Sequence, residues 1–235
     1  MIEFDQPNIF KDKIIAALSS AEDGNMKFGM PPDPEARPNR ENFLAQVDID
    51  PTQTTLLSVS YQDNINFTRY VVFDDDQQGE GMLSPESQTD ADAAVVTRPG
   101  HAIFLPLADC VGAIIYDPKN EILMVSHLGR HSVEQMGAVK SINYLKDQFD
   151  SDPVNLLIWL SPSVGSDTYP LDKFAGRSLQ EVVIDGLLTA GVLSANIEAS
   201  QVDTSESADY FSHSEYLAGN RDTNNRFAIV AMMRD

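Results

Sequence analysis

A chain of 235 residues with 42% hydrophobic side chains is long enough to bury a substantial core, within the size range of one large domain. Thirty-six acidic residues against sixteen basic ones leave a formal charge of −20, a field that repels phosphate backbones and anionic headgroups, so neither nucleic acid nor a membrane surface is an expected partner. No apolar run approaches the roughly 20 residues of a membrane-spanning helix. The single cysteine cannot form an internal disulfide and the first residues lack the pattern of a secretion signal, so the expected compartment is the cytoplasm.

In chain order, the apolar residues between 10 and 19 read as a buried strand, and the glycines and prolines of 24–38 as an irregular surface segment. Asn39 is placed to cap a short helix reaching Gln46. Residues 54–61 and 68–73 are strand-like, with a turn or bulge expected near 64–67. From 74 to 92 there are seven acidic residues and no basic one, which predicts a solvated loop. Its opening, Asp74-x-Asp76-x-Gln78-Gly79, resembles a calcium loop, but Pro85 stands where a bidentate Glu is required.

Strand-like runs follow at 94–97, 103–107, 111–116 and 122–126. Asp117-Pro118-Lys119-Asn120 favours a turn, so the last two runs form an expected hairpin. Cys110 starts its first strand and His127 ends its second, and antiparallel pairing would bring them within about one inter-strand spacing of ~5 Å. Ser132-Val133-Glu134-Gln135 has the form of a capping box, followed by Met136, Val139, Ile142, Leu145 and Phe149 at helical spacing. Residues 127–131 would then feed a helix N-terminus, where free N–H groups favour an anion or thiolate, and Gly129 would allow close backbone approach. Residues 155–160 read as a buried strand, and Ser178-Leu179-Gln180-Glu181 as a second capping box, opening a helix that Gly191 ends. A further strand is expected within 195–202, an irregular segment at 203–225 anchored by Tyr210, Phe211 and Tyr216, and a last strand at 227–232.

The order of these landmarks resembles the laccase-domain (YfiH-like) family, whose members are also described as polyphenol oxidases, peptidoglycan-editing factors or purine nucleoside phosphorylases. The resemblance runs through Asn39-Arg40, Thr89-Asp90-Ala91-Asp92-Ala93, Ala108-Asp109-Cys110, His127-Leu128-Gly129, the 162–165 loop and Arg226. It implies a single α+β domain spanning 1–235, with mixed β-sheets flanked by helices. It also implies a zinc ion held by the Cys of Ala-Asp-Cys, the His of a His-Ala-Gly-Trp-Arg-Gly motif and a histidine from a Gln-Val-His-Gly motif. The first two correspond to Cys110 and His127. The third falls around Asn64-Ile65-Asn66-Phe67, which holds no histidine, and Asn66 is the matching position. Arg130-His131 stands in place of Trp-Arg, and Phe211-Ser212-His213-Ser214-Glu215 in place of a Phe-Ser-x-Arg-Arg pattern. The laccase name does not imply copper, since the residues for a multicopper centre are absent.

By resemblance, the expected activity is that of a zinc-dependent purine nucleoside phosphorylase, with phosphate as co-substrate, or an adenosine deaminase. Its metal ligands and catalytic residues would be Cys110 and His127, with His131, Arg130, Ser163 and Arg226 lining a small-molecule pocket. Two other readings stand beside it. One is a catalytically degenerate member that binds a small molecule or a protein; the other is a metal-free hydrolase using Cys110 as a thiolate paired with His127. The bland reading makes Cys110 a buried hydrophobe and His127 a satisfied histidine.

Overall fold

The computed structural model describes residue 1 and residues 3–29, 32–61, 66–84 and 89–234. Its strands are β1 (Ile14–Leu18), β2 (Thr54–Ser58), β3 (Tyr70–Val72), β4 (Thr89–Asp90), β5 (Ala93–Val96), β6 (Ala102–Leu107), β7 (Val111–Asp117), β8 (Ile122–Leu128), β9 (Leu157–Leu160), β10 (Ile197–Ala199) and β11 (Phe227–Met233). The helices are α1 (Ala36–Ala45), α2 (Arg130–Glu134), α3 (Gly137–Phe149), α4 (Leu179–Thr189) and α5 (His213–Leu217). Two mixed sheets result, one ordered β1-β11-β6-β2-β4 and the other β10-β9-β7-β8-β5-β3.

The strands are apolar on both faces because both faces are covered. Ile114 and Tyr116 of β7 and Leu123 and Val125 of β8 point between the sheets, against Ile103 and Leu105 of β6 and Ile229 and Ala231 of β11. The intervening residues Ala113, Ile115 and Met124 pack under Ile142 and Leu145 of α3 and Val183 and Leu187 of α4. On the outer side of the five-stranded sheet, Phe104, Ala228 and Val230 meet Phe43 and Leu44 of α1. Helix, sheet, sheet and helices therefore stack in four layers of one α+β fold.

The hairpin of β7 and β8 forms as the sequence reading expects, with Asp117 Oδ1 accepting Lys119 N at 2.9 Å and Asn120 N at 3.2 Å in the turn. At α4, Ser178 Oγ accepts Glu181 N at 3.3 Å and Glu181 Oε2 accepts Ser178 N at 2.8 Å, the expected capping box. Elsewhere the structure departs from expectation. The helix expected from Asn39 begins at Ala36, and Asn39 turns its amide to Asn25 O at 3.1 Å. β2 and β3, expected as neighbours across a turn, belong to different sheets, and residues 62–65 of that turn lie outside those described. The expected helix from Ser132 is replaced by short α2, which starts at Arg130 and breaks where Met136 turns left-handed at φ 64°. Ser132 does not cap α3; its Oγ lies where a Cβ on Gly137 would sit, so the hydroxyl closes the break between the two helices. In the acidic segment, β4 pairs with β2 and Asp74 caps a 3-10 turn at Asp75–Gln77, while Pro85 lies outside the described residues. Tyr210 is a buried anchor whose hydroxyl donates to Asp5 Oδ2 at 2.8 Å, whereas Tyr216 is 37% exposed.

Arg40 is buried without a carboxylate contact among the described residues. Its Nε donates to Met26 O at 2.7 Å and its Nη1 to Gly81 O at 2.8 Å, while the guanidinium lies 4.3 Å from the Phe28 ring centroid. Burial brings its pKa down to about 10. The residue pins the 26–28 segment onto α1. No helix among the described residues is long and apolar enough to cross a membrane.

Candidate functional site

The β7–β8 ladder sets Gly112 opposite His127 and Val111 opposite Leu128, so Cys110 emerges opposite Gly129 at one end of the sheets. Gly129 has an ordinary extended backbone, at φ −83°; what it supplies is room. A Cβ there would stand 2.9 Å from Cys110 Sγ, 2.9 Å from His127 Cε1 and 3.4 Å from His127 Nε2. The thiol and the imidazole thus flank one point, as the hairpin geometry anticipates. His127 is buried, and its backbone N–H donates to Asp92 O at 2.7 Å. The Asp92 carboxylate is held by Arg69 Nε at 2.8 Å.

Asp109, left-handed at φ 74°, knits the surrounding loops. Its Oδ1 accepts Thr204 Oγ1 at 2.7 Å, its Oδ2 accepts Ser214 N at 2.6 Å, and its carbonyl accepts Val164 N at 3.0 Å. Both carboxylate oxygens serve the loops.

The third member of the cluster is Tyr61, which the sequence reading does not single out. Its phenol stands close enough to the Cys110 thiol for each to act on the other's pKa, although the residue as a whole is 48% exposed. The ring lies 6.4 Å from His127, edge to face at 83°, and 6.1 Å from His131. Phe67 stacks on His131 at 4.6 Å and lies 5.7 Å from Tyr61, completing an aromatic wall. The available signal was that the 54–61 strand-like run ends in an aromatic residue a few positions before the 64–67 stretch where a ligand motif was sought. A search for imidazole passes over a phenol.

Burial pushes the Cys110 thiol up to about 12, with Asp109 adding to the rise and Arg226 and Tyr61 opposing it. Burial also takes His127 down to about 4, against the pull of Asp92. The Tyr61 phenol is raised, first by burial and then by Cys110. At neutral pH these three side chains are therefore uncharged. Zinc deprotonates a thiol that coordinates it, so the donor set is what matters, and a zinc centre in its usual forms has at least three protein donors. Here two good donors stand beside a phenol, and among the described residues no group of three or more His, Cys, Asp or Glu is placed to hold a metal. The described residues therefore do not supply a three-donor zinc centre.

Asn66 is exposed, and its Oδ1 accepts Thr68 N at 2.9 Å and Thr68 Oγ1 at 2.8 Å, committing the oxygen to a local turn. His131 joins the aromatic wall. Arg130 is exposed, its guanidinium 5.9 Å from the Tyr169 ring centroid; burial first raises the Tyr169 phenol, against Arg130, and Cys110 and Asp109 add to the rise, which places that ring in the field of the site. Ser163 is buried and its carbonyl accepts Thr204 N at 3.1 Å, a loop-bracing contact. Arg226 heads β11, where Phe227 pairs with Leu107 just before Ala108-Asp109-Cys110. The remaining histidines have other partners: His101 Nε2 lies 2.8 Å from Thr55 Oγ1, and His213 Nδ1 lies 2.9 Å from Asn224 Oδ1.

The fold and sequence were compared with known proteins. The solved YlmD of Geobacillus stearothermophilus superposes with a TM-score of 0.85 at 18% identity, covering 97% of this chain and 94% of that one. A hypothetical protein YfiH of Bacillus licheniformis superposes at 0.81, also at 18% identity, covering 94% and 93%. Among curated proteins, a purine nucleoside phosphorylase of Bacteroides thetaiotaomicron is 20% identical over 168 residues, which are 61% of this chain and 62% of that protein's length. The chain thus spans less than two thirds of that relative. A family model described as "Multi-copper polyphenol oxidoreductase laccase" matches residues 19–183, more than half of the chain. The chain therefore belongs to this laccase-like family, to which its order of motifs already pointed.

Proposed function

We propose that the cluster of Tyr61, Cys110, His127 and His131 forms a site that binds a purine nucleoside or a closely related flat heterocycle, without a zinc ion completed by the Cys110–His127 pair. The carrying observation is Tyr61: its ring meets His127 edge to face at 6.4 Å, and its phenol lies in the field of the Cys110 thiol. The wall of Tyr61, Phe67 and His131 supplies faces on which a heterocycle can stack. The name of the Bacteroides relative supports purine nucleosides as the ligand class.

The zinc-dependent phosphorylase or deaminase expected from resemblance is the rival reading, and one experiment separates them. Protein purified without chelator is analysed for metal, titrated calorimetrically with adenosine, guanosine and inosine, and assayed for base release with phosphate and for deamination. Saturable binding, with zinc far below one per chain and no turnover, is the expected result. One zinc per chain together with chelator-sensitive turnover would overturn the proposal in favour of the enzyme. A metal-free Cys–His hydrolase requires a thiolate at neutral pH, and a thiol raised to about 12 beside an imidazole lowered to about 4 does not supply one.

A further inference from the structure

Beside this cluster Arg226 lies in the field of Cys110, Asp109 and Tyr61, and Lys27 in that of Arg226, the two cations having no ion pair among the described residues. Among the described residues, the ion pairs of the basic side chains engage Arg37, Arg69, Arg98, Lys173 and Arg177. Lys27 and Arg226 take part in none of them. Many basic side chains of this chain stand without an ion pair among the described residues, so what marks these two is their adjacency, which suits a negative group supplied from outside.

The arrangement is built rather than incidental. Asn25 is buried, and its Oδ1 accepts both Lys27 N at 3.1 Å and Arg226 N at 3.0 Å, fastening the two residues to one amide. Met26 N donates to Arg226 O at 2.9 Å, lacing the segment onto the head of β11. On either side of Lys27, Met26 is buried with its carbonyl held by Arg40, and Phe28 lies under the Arg40 guanidinium, so the exposed lysine springs from an anchored backbone.

One arm of the Arg226 guanidinium is similarly fixed. Nη1 donates to Asn224 Oδ1 at 2.7 Å, Asn224 O at 2.9 Å and Asn225 O at 2.9 Å, all neutral acceptors. Nε and Nη2 have no acceptor among the described residues, which leaves an edge of the planar fork for a ligand. The one carboxylate beside it in the site, Asp109, has both oxygens occupied by Thr204 and Ser214. The two cations feel each other, since burial and then Arg226 lower the Lys27 ammonium pKa, and burial lowers that of Arg226. An anion between them relieves that cost.

We propose that the ligand of this site carries its own phosphate group, held by Lys27 and the free edge of Arg226, so that the site takes a purine nucleoside monophosphate in preference to the nucleoside. This rests on the reading of the cluster as a purine nucleoside site. A phosphate monoester suits the two cations as the heterocycle suits the Tyr61 wall, and both would be parts of one molecule.

The test titrates the full chain with adenosine, adenosine monophosphate and inorganic phosphate, at low and high salt. The monophosphate is expected to bind at least about tenfold more tightly than adenosine, a preference that shrinks as salt rises. In Lys27→Ala the ratio of the two affinities falls about tenfold, and in Lys27→Arg it is kept. Adenosine binding with no gain from the added phosphate would overturn this inference and leave the nucleoside reading standing, as would a preference that survives Lys27→Ala unchanged. Tight binding of inorganic phosphate with no gain in linking it to the nucleoside would overturn it in favour of a separate anion site. No binding of adenosine or its monophosphate would overturn both readings together.

Discussion

Tyr61 decides the chemistry of the cluster. A phenol is a poor substitute for imidazole as a zinc ligand, and here it stands beside the thiol and at the edge of His127. Tyr61→His offers an aromatic nitrogen donor from the same backbone position beside Cys110 and His127. The expected outcome is a rise in bound zinc from a trace toward one per chain by metal analysis, abolished again by Cys110→Ser in the same background. Unaltered zinc content in Tyr61→His would show that the position cannot serve as a third donor. His101 makes a separate prediction. Thr55 gives its hydroxyl hydrogen to Gln77 O at 2.7 Å, so it accepts from His101 Nε2, which fixes the neutral tautomer in a buried setting. Burial holds the His101 pKa below its ordinary 6.5, against the pull of Asp75 and Asp74. Because the folded pKa lies below the unfolded one, the unfolded chain takes up the proton first as pH falls. The stabilisation is full above 6.5 and is lost progressively below it. Denaturant unfolding between about pH 7.5 and about pH 5.5 is expected to show this decline, to which His127 contributes in the same direction, and His101→Gln to reduce it in part; an unchanged slope would remove His101 as one of its sources.

At the scale of elements, the β7–β8 hairpin aligns the two reactive side chains and Gly129 leaves room between them. Gly129→Ala forces a methyl against Cys110 Sγ and His127 Cε1, both 2.9 Å from the added atom. A cost of about 1–3 kcal/mol by thermal or denaturant unfolding is expected, with loss of ligand affinity beyond that of a remote substitution of equal cost. Full retention of stability and affinity would mean that the hairpin end yields easily. At α4 the capping box is local, so Ser178→Ala is expected to cost about 1 kcal/mol in the same unfolding assay without altering the ligand titration. The contrast with Ser132 is instructive. Both serines open the same four-residue pattern, yet only Ser178 has its hydroxyl free to accept from the N3 amide, because the Ser132 hydroxyl faces Gly137 across the left-handed break at Met136.

For the whole molecule, a charge of −20 on a fold of this size acts on every transition at once. Self-repulsion of a compact acidic surface exceeds that of the expanded chain, so screening favours the folded state. Raising ionic strength from about 0.01 M to about 0.15 M shortens the screening length from about 30 Å to about 8 Å. The thermal midpoint is expected to rise over that range, and a midpoint that falls would show that attractive surface pairs outweigh the repulsion. The same field makes the Lys27–Arg226 pair conspicuous, since its local potential runs against that of the rest of the surface.

The elements followed from local pattern. Apolar runs and turn residues marked β1, β6, β7, β8 and β11 within a few residues, because side-chain alternation and Asp117-Pro118 turn chemistry act over short stretches. The order of Ala-Asp-Cys, His-x-Gly and their flanking motifs was enough to place the chain in its family, and hairpin geometry alone brought Cys110 to His127. Tertiary structure decided the rest. Tyr61 reaches the thiol through a change of sheet between β2 and β3, and Lys27 reaches Arg226 across some two hundred residues through the Asn25 amide. Neither contact has a sequence period to betray it. Asn66 and Ser163 have polar side chains that suit a site, but one is taken up by its own turn and the other sits in a loop brace, commitments that only the folded backbone reveals.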